Sequence, residues 1–404
     1  MIDEITILML LALIILLGYF GHIFFEKTKV PHFLLLVVVG IVINLFGVFD
    51  KALLIPIVGL FSTLTLIMVT FYSGLNLDLY DIVYQSGRAF LQSFTYIGVS
   101  VVLIAFSAHM LLGWPLLESF IFSSMTGGEI TAAVVVPLAF SLGLRENVKA
   151  LLTLETAIST ILTIVLFFMF LNQWIVGETE VYGAVISIVS NFTIAIFFGM
   201  IFSLVSIRLL YRFRRQEYTY VLIIGLLLLI YTIVKALGGN GELAALILGL
   251  FLSNNRLLSR MFGMGFQADI SMLIFRLNEF QEEISFLFET LFFVFLGMVF
   301  VINFSTILTN LMLASIFVLI LIVTRFLAVS LANFGSDTYN YRLVVTVLCA
   351  QGIVPASLSI YLLRYDLALK YTFMSLITYI IILTNVITTV GIWIISRSRH
   401  GRLY

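Results

Sequence analysis

The sequence predicts an all-α polytopic membrane protein with about thirteen transmembrane helices. Three observations lead there. Of 404 residues, 62% are hydrophobic and only 10% charged, against about 25% charged in soluble domains. The apolar runs continue for roughly 20 residues, enough for a helix to cross hydrocarbon, whereas barrel strands would alternate. Only five prolines interrupt the chain. The formal charge of zero says little about partners; its distribution says more.

The first hydrophobic segment, 5–25, follows an acidic start, "MIDE". It lacks the basic flank of a leader peptide and is expected to remain as a helix. Segments 32–48, 53–75, 89–112, 116–143, 148–173 and 181–207 follow. After the basic cluster "RLLYRFRRQ" come 218–237 and 240–254, joined by "GGNG" at 238–241, which reads as a tight turn. The stretch 255–279 is the longest connection and is expected to be an amphipathic connector on the cytoplasmic face. The last segments are 280–303, 305–332, 341–363 and 369–395. No Gly-rich nucleotide loop follows a strand. Residues 1–404 therefore read as a single membrane domain with no soluble regulatory domain.

Thirteen spans place the termini on opposite sides. With the N-terminus outside and the C-terminus cytoplasmic, sixteen Lys and Arg residues, from Lys27 to Arg402, fall on the cytoplasmic side. Only Lys51, Lys235, Arg364 and Lys370 fall outside. That bias follows the positive-inside rule and implies a multi-pass cell-membrane protein. The acidic loop "VGETEVYG", with Trp174 nearby, falls outside, in agreement. The basic cluster faces anionic inner-leaflet lipid, as a topology signal or as a specific lipid contact.

Two spans are interrupted near their middles. One reads "GGEITAAVVVP", with Gly127, Gly128 and Pro137; the other reads "AQGIVPASLS", with Gly352 and Pro355. They are the fifth and twelfth spans and so run in opposite directions. Backbone groups in hydrocarbon must be satisfied locally, so helix breakers there need a reason. Paired interrupted spans in two inverted halves point to a transporter's substrate site; ordinary kinks in unrelated helices are the alternative.

Charges inside spans cost about 2.5–3.5 kcal/mol at a helix centre on insertion scales and mark functional candidates. Glu129, Glu155 and Arg325 stand out. Glu155 and Arg325 each lie seven residues from a cytoplasmic end, roughly 11 Å deep at the helical rise, so an ion pair is open to them. Arg325 can instead snorkel to the interface. Glu129 lies about 20 Å from either end of its long span, and Thr160 about 18 Å from the cytoplasmic end. Glu129 is a titratable transport group or a protonated carboxyl bonded to backbone freed by the break.

An enzyme is not expected. His22, His32 and His400 lie near predicted membrane boundaries and His109 near an outer end, and none has metal-ligand spacing to another His or Cys. The lone Cys349 allows no internal disulfide. No cofactor and no nucleic-acid partner are implied.

The motifs "LGYFGHIFFEKTKVPHFLLLVVVGIVIN", "SGLNLDLYD", "GGEITAAVVVP", "LLTLETAIST", "GELAALILGLFLSNN", "EFQEEISFLFETLFFVFLGMVF" and "AQGIVPASLS" occur in that order. Together they resemble the monovalent cation:proton antiporter superfamily, especially its Kef-like and archaeal Na⁺/H⁺ antiporter membrane domains, over nearly the whole chain. The resemblance implies the Na⁺/H⁺ antiporter fold: thirteen helices, inverted repeats and two crossing broken helices. It implies a homodimer, with a transport core including 89–173 and 305–395 and dimer or scaffold helices including 32–75 and 181–303. It also implies exchange of Na⁺ or K⁺ for H⁺ by alternating access.

Two departures from that pattern concern the site. The resemblance keeps the family's Glu at Glu155 and its partner at Arg325. The transport Asp should fall at Thr160, after Ser159, and the second broken helix has Gln351 where an Arg is usual. One acid and one base are thus lost, and Thr160 carries no proton at working pH. Glu129 is the candidate replacement acid. Glu129, Thr131, Ser159 and Thr160 supply the oxygens that a monovalent cation requires; Glu129, Glu155, Arg325 and Gln351 are the candidate coupling residues. Two further readings stay open: an uncoupled relative acting as a uniporter, leak or membrane subunit of a larger complex, and a carrier of an organic anion with Na⁺.

Overall fold

The computed structural model describes residues 4–28, 31–46, 51–76, 79–177, 181–256, 270–299 and 306–399. The acidic residues at 178–180, most of the 255–279 connector, and Lys29, Arg260, His400 and Arg402 lie outside them. All regular structure among the described residues is helical. The helices are α1 (Glu4–Thr28), α2 (His32–Leu45), α3 (Lys51–Leu75), α4 (Leu79–Leu112), α5 (Leu116–Thr126), α6 (Ala132–Ser141), α7 (Glu146–Val176) and α8 (Val181–Arg212). They continue as α9 (Thr219–Ala236), α10 (Gly241–Ser253), α11 (Ser271–Val299), α12 (Ile307–Asn333), α13 (Arg342–Val347), α14 (Ile353–Leu362) and α15 (Lys370–Arg399).

Each predicted segment falls on one helix, or on a broken pair. Segment 116–143 is α5 and α6; segment 341–363 is α13 and α14. Seven helices among the described residues are long and apolar enough to cross a membrane. That criterion does not reach thirteen, because the broken spans divide into short pieces, α11 carries charges, and the apolar stretches found in α1, α2 and α10 are shorter. Helix ends also differ from the hydropathy boundaries. α4 begins at Leu79 rather than 89 and α11 at Ser271 rather than 280. Hydropathy marks where lipid begins, whereas a helix continues as long as its backbone bonds do. "LYDIVYQSGR" and "SMLIFRLNE" are polar but contain no proline.

The chain forms two compact units: Met1–Thr65, Gly87–Thr163 and Leu287–Tyr404 in one, Leu66–Ser86 and Ile164–Phe286 in the other. The first holds an aromatic cluster in which Trp114, Phe122, Phe317 and Phe373 pack with ring centroids 4.9–5.4 Å apart. It ties α5 to α12 and α15. α2 and α11 approach at Gly40 and Gly297, where an added Cβ on either would strike the other's main chain. Small residues allow this backbone contact where hydrocarbon offers no hydrophobic drive between helices. In the second unit Gly74 and Gly249 do the same for α3 and α10. There Lys235 lies 3.2 Å from Glu242 and 4.1 Å from the Phe168 ring centroid. Outward faces are apolar: Leu308, Met312, Leu319, Val323, Leu327 and Leu331 form an exposed stripe on α12, as a lipid-facing helix requires.

Candidate functional site

The site is built where two helices stop short. α5 ends at Thr126 and α6 begins at Ala132. Between them Gly128 has φ +122°, a conformation open to glycine and rare for other residues. A Cβ there would press on the ring of Tyr96, 2.8 Å away. α13 ends at Val347 and α14 begins at Ile353. Pro355 sits in the first turn of α14, where a missing N–H costs nothing. A Cβ on Gly352 would lie 2.8 Å from the Thr131 hydroxyl, so glycine permits the two interrupted stretches to touch.

Hydrogen bonds join the two breaks. The Thr131 N–H donates to Ala350 O at 2.9 Å. Gln351 Nε2 donates to Thr126 O, the end of α5, at 2.7 Å. The Gly352 N–H donates to Glu129 Oε2 at 3.2 Å. From α7, Ser159 Oγ accepts the Ile130 N–H at 3.2 Å. From α15, Thr384 Oγ1 accepts the Gln351 N–H, Asn385 Nδ2 donates to Gln351 O, and Thr388 Oγ1 accepts the Cys349 N–H. Several main-chain groups released by the breaks are thereby satisfied within the protein, as a membrane interior demands. Gly352 is the N-cap of α14, so the carboxylate of Glu129 sits at the positive end of that helix, which favours an anion. No cationic side chain pairs with it among the described residues.

Glu155 is held differently. Arg325 Nη1 and Nη2 donate to its Oε1 and Oε2 at 2.8 and 3.1 Å, a bidentate pair with both side chains 0% exposed. Arg325 Nε donates to Val345 O at 3.0 Å, and the guanidinium lies 5.2 Å from the Tyr96 ring centroid. Arg325 therefore points inward and does not snorkel.

Of the residues named from sequence, Glu129, Thr131, Ser159 and Gln351 meet at the crossing, and Glu155 and Arg325 meet each other. Thr160 is buried on α7 one residue after Ser159; among the described residues it forms no hydrogen bond to Glu129, Thr131 or Gln351. Tyr96, Thr126, Thr384, Asn385 and Thr388 belong to the site and were not expected. "TNVITT" in the last span carries the signal for three of them, since polar residues at i, i+1 and i+4 lie on one face of an apolar helix.

Comparison with known proteins fits this geometry. The sequence model of the family described as "Sodium/hydrogen exchanger, transmembrane" matches residues 10–396. The chain belongs to the sodium/hydrogen exchanger family. This is a family of membrane transporters that exchange a cation for a proton, within the monovalent cation:proton antiporter superfamily. Two structures of the sodium proton antiporter MjNhaP1 from Methanocaldococcus jannaschii share the exchanger fold. One, at pH 8, superposes with a TM-score of 0.77 at 19% identity, covering 98% of this chain and 96% of that one. The other, from an electron-microscopy map, gives 0.73 at 20% identity, covering 99% and 97%. A comparison with curated proteins finds no match.

Proposed function

We propose that this exchanger couples Na⁺ or K⁺ to H⁺ by alternating access, with Glu129 as the group that cation and proton share. The observation that carries this reading is the contrast between the two buried acids near the crossing. Glu155 is saturated by Arg325, whereas Glu129 accepts one main-chain N–H and meets no cationic side chain among the described residues. Exchange requires a carboxylate that alternates between a proton and a metal ion, and a carboxylate locked to a guanidinium does neither readily. In this reading Thr131, Ser159 and Thr160 supply further oxygens, and Gln351 sets the position of Glu129 through the adjoining Gly352. The protein acts as a homodimer in the cell membrane, N-terminus outside and C-terminus cytoplasmic. The distribution of Lys and Arg supports that orientation.

The test is proton flux in vesicles carrying a pH-sensitive dye, titrated with Na⁺, K⁺ and Li⁺. Glu129→Gln keeps the shape and removes the charge; it should abolish cation-dependent proton flux and leave folded protein. Glu129→Thr combined with Thr160→Asp should restore part of the exchange by moving the acid to the neighbouring helix. Full flux in Glu129→Gln would sink this reading and leave Glu129 as a structural plug. The second reading, an uncoupled relative, is favoured by the hydroxyl at Thr160 and the neutral amide at Gln351. Cation flux without proton movement would establish it.

A further inference from the structure

We propose that the side-chain oxygens of Gln351 and Asn385 are ligands for a dehydrated monovalent cation at the second helix break. The inference rests on the cation-transport reading above and adds a ligand set from the last helix, α15.

Both side chains are fully buried, each 0% exposed. The orientation of each amide is fixed by its nitrogen. Gln351 Nε2 donates to Thr126 O, and Asn385 Nδ2 donates to Gln351 O and Ile381 O, each at 2.7 Å. Turning either amide over would set its oxygen against carbonyl oxygens. Gln351 Oε1 and Asn385 Oδ1 must therefore face the other way. Neither has a hydrogen-bond donor among the described residues.

Most main-chain donors nearby are already used. The N–H groups of Ile130, Thr131, Cys349, Gln351 and Gly352 each have an acceptor. The neighbourhood is short of donors and rich in acceptors, and the group that serves several oxygens without needing acceptors of its own is a metal cation. The charge count sets the valence. Glu155 is neutralised by Arg325, which leaves Glu129, among the described residues, as the one unpaired acid at the crossing. Two neutral amides with a single carboxylate suit one positive charge better than two.

Equilibrium binding of radioactive sodium and rubidium to the purified protein, with no gradient, tests this. Asn385→Leu and Gln351→Met should each weaken binding by about tenfold or more, a loss of one good ligand. Thr378→Val, on α15 but away from the break, removes a hydroxyl that donates to Met374 O within its own helix, and should change affinity less than about threefold. If the Leu and Met variants bind within threefold of wild type, the oxygens are bonded to water and the proposal fails. It fails also if the wild type binds neither ion. The transport reading is judged separately. Protein that binds through these oxygens but exchanges no protons keeps this proposal and loses antiport. Protein whose flux depends on Glu129 but whose binding ignores Gln351 and Asn385 does the reverse.

Discussion

Glu155 and Glu129 are carboxylates of one compact unit, both buried among apolar helices, and they differ in what answers their charge. Glu155 meets a guanidinium face to face, and that guanidinium is fixed in turn by Val345 O and by the Tyr96 ring. Glu129 meets a peptide N–H at the start of a half-helix. A guanidinium moves with its own helix and ties α12 to α7. A helix terminus gives partial charge without a competing full charge, so the site remains open to a small ion. Burial alone therefore does not distinguish the two acids; the partner does.

The contrast breaks most severely if Arg325 is removed. Arg325→Ala leaves Glu155 as an uncompensated buried charge and should cost about 3–5 kcal/mol. Folded yield and detergent unfolding should show the loss, and Glu155→Gln with Arg325→Gln should recover part of it. Losses that simply add in the double variant would show that the pair contributes nothing jointly. The Glu129 side is sharpened by Gly352→Ala, whose new methyl meets the Thr131 hydroxyl and displaces the N–H that Glu129 accepts. Overpacking of this kind should cost about 1–3 kcal/mol. Gly98→Ala on α4, with nothing within 4 Å, is the control and should not destabilise the protein. Equal unfolding temperatures for the two variants would mean that the breaks do not touch. The smallest effect is expected for Thr384→Val, which removes the acceptor for the Gln351 N–H and should cost about 1–2 kcal/mol.

Much of this is legible in the sequence because helix rise is nearly constant. Counting residues from the cytoplasmic ends sets Glu155 and Arg325 at one depth, and they meet. Gly127, Gly128, Gly352 and the two prolines mark where helices stop. What stays hidden depends on rotation about helix axes, which depth does not report. Thr384, Asn385 and Thr388 look like mild polar residues until α15 turns them onto the second break. Tyr96 looks like one aromatic among many until it lies beneath Arg325. Glu289 is hidden for another reason. It follows the acidic run Glu279, Glu282 and Glu283, which reads as a membrane boundary, yet it lies well inside α11 and has no ion pair among the described residues.

The hydrogen bond from the Thr131 N–H to Ala350 O links main chain to main chain across 219 positions of sequence. Most other bonds at the crossing use a peptide group on at least one side. Such a frame does not depend on which acid the site contains. Side chains at the site can therefore be exchanged one at a time while the peptide groups that hold the two breaks together stay in place, so the frame outlasts the particular chemistry it carries.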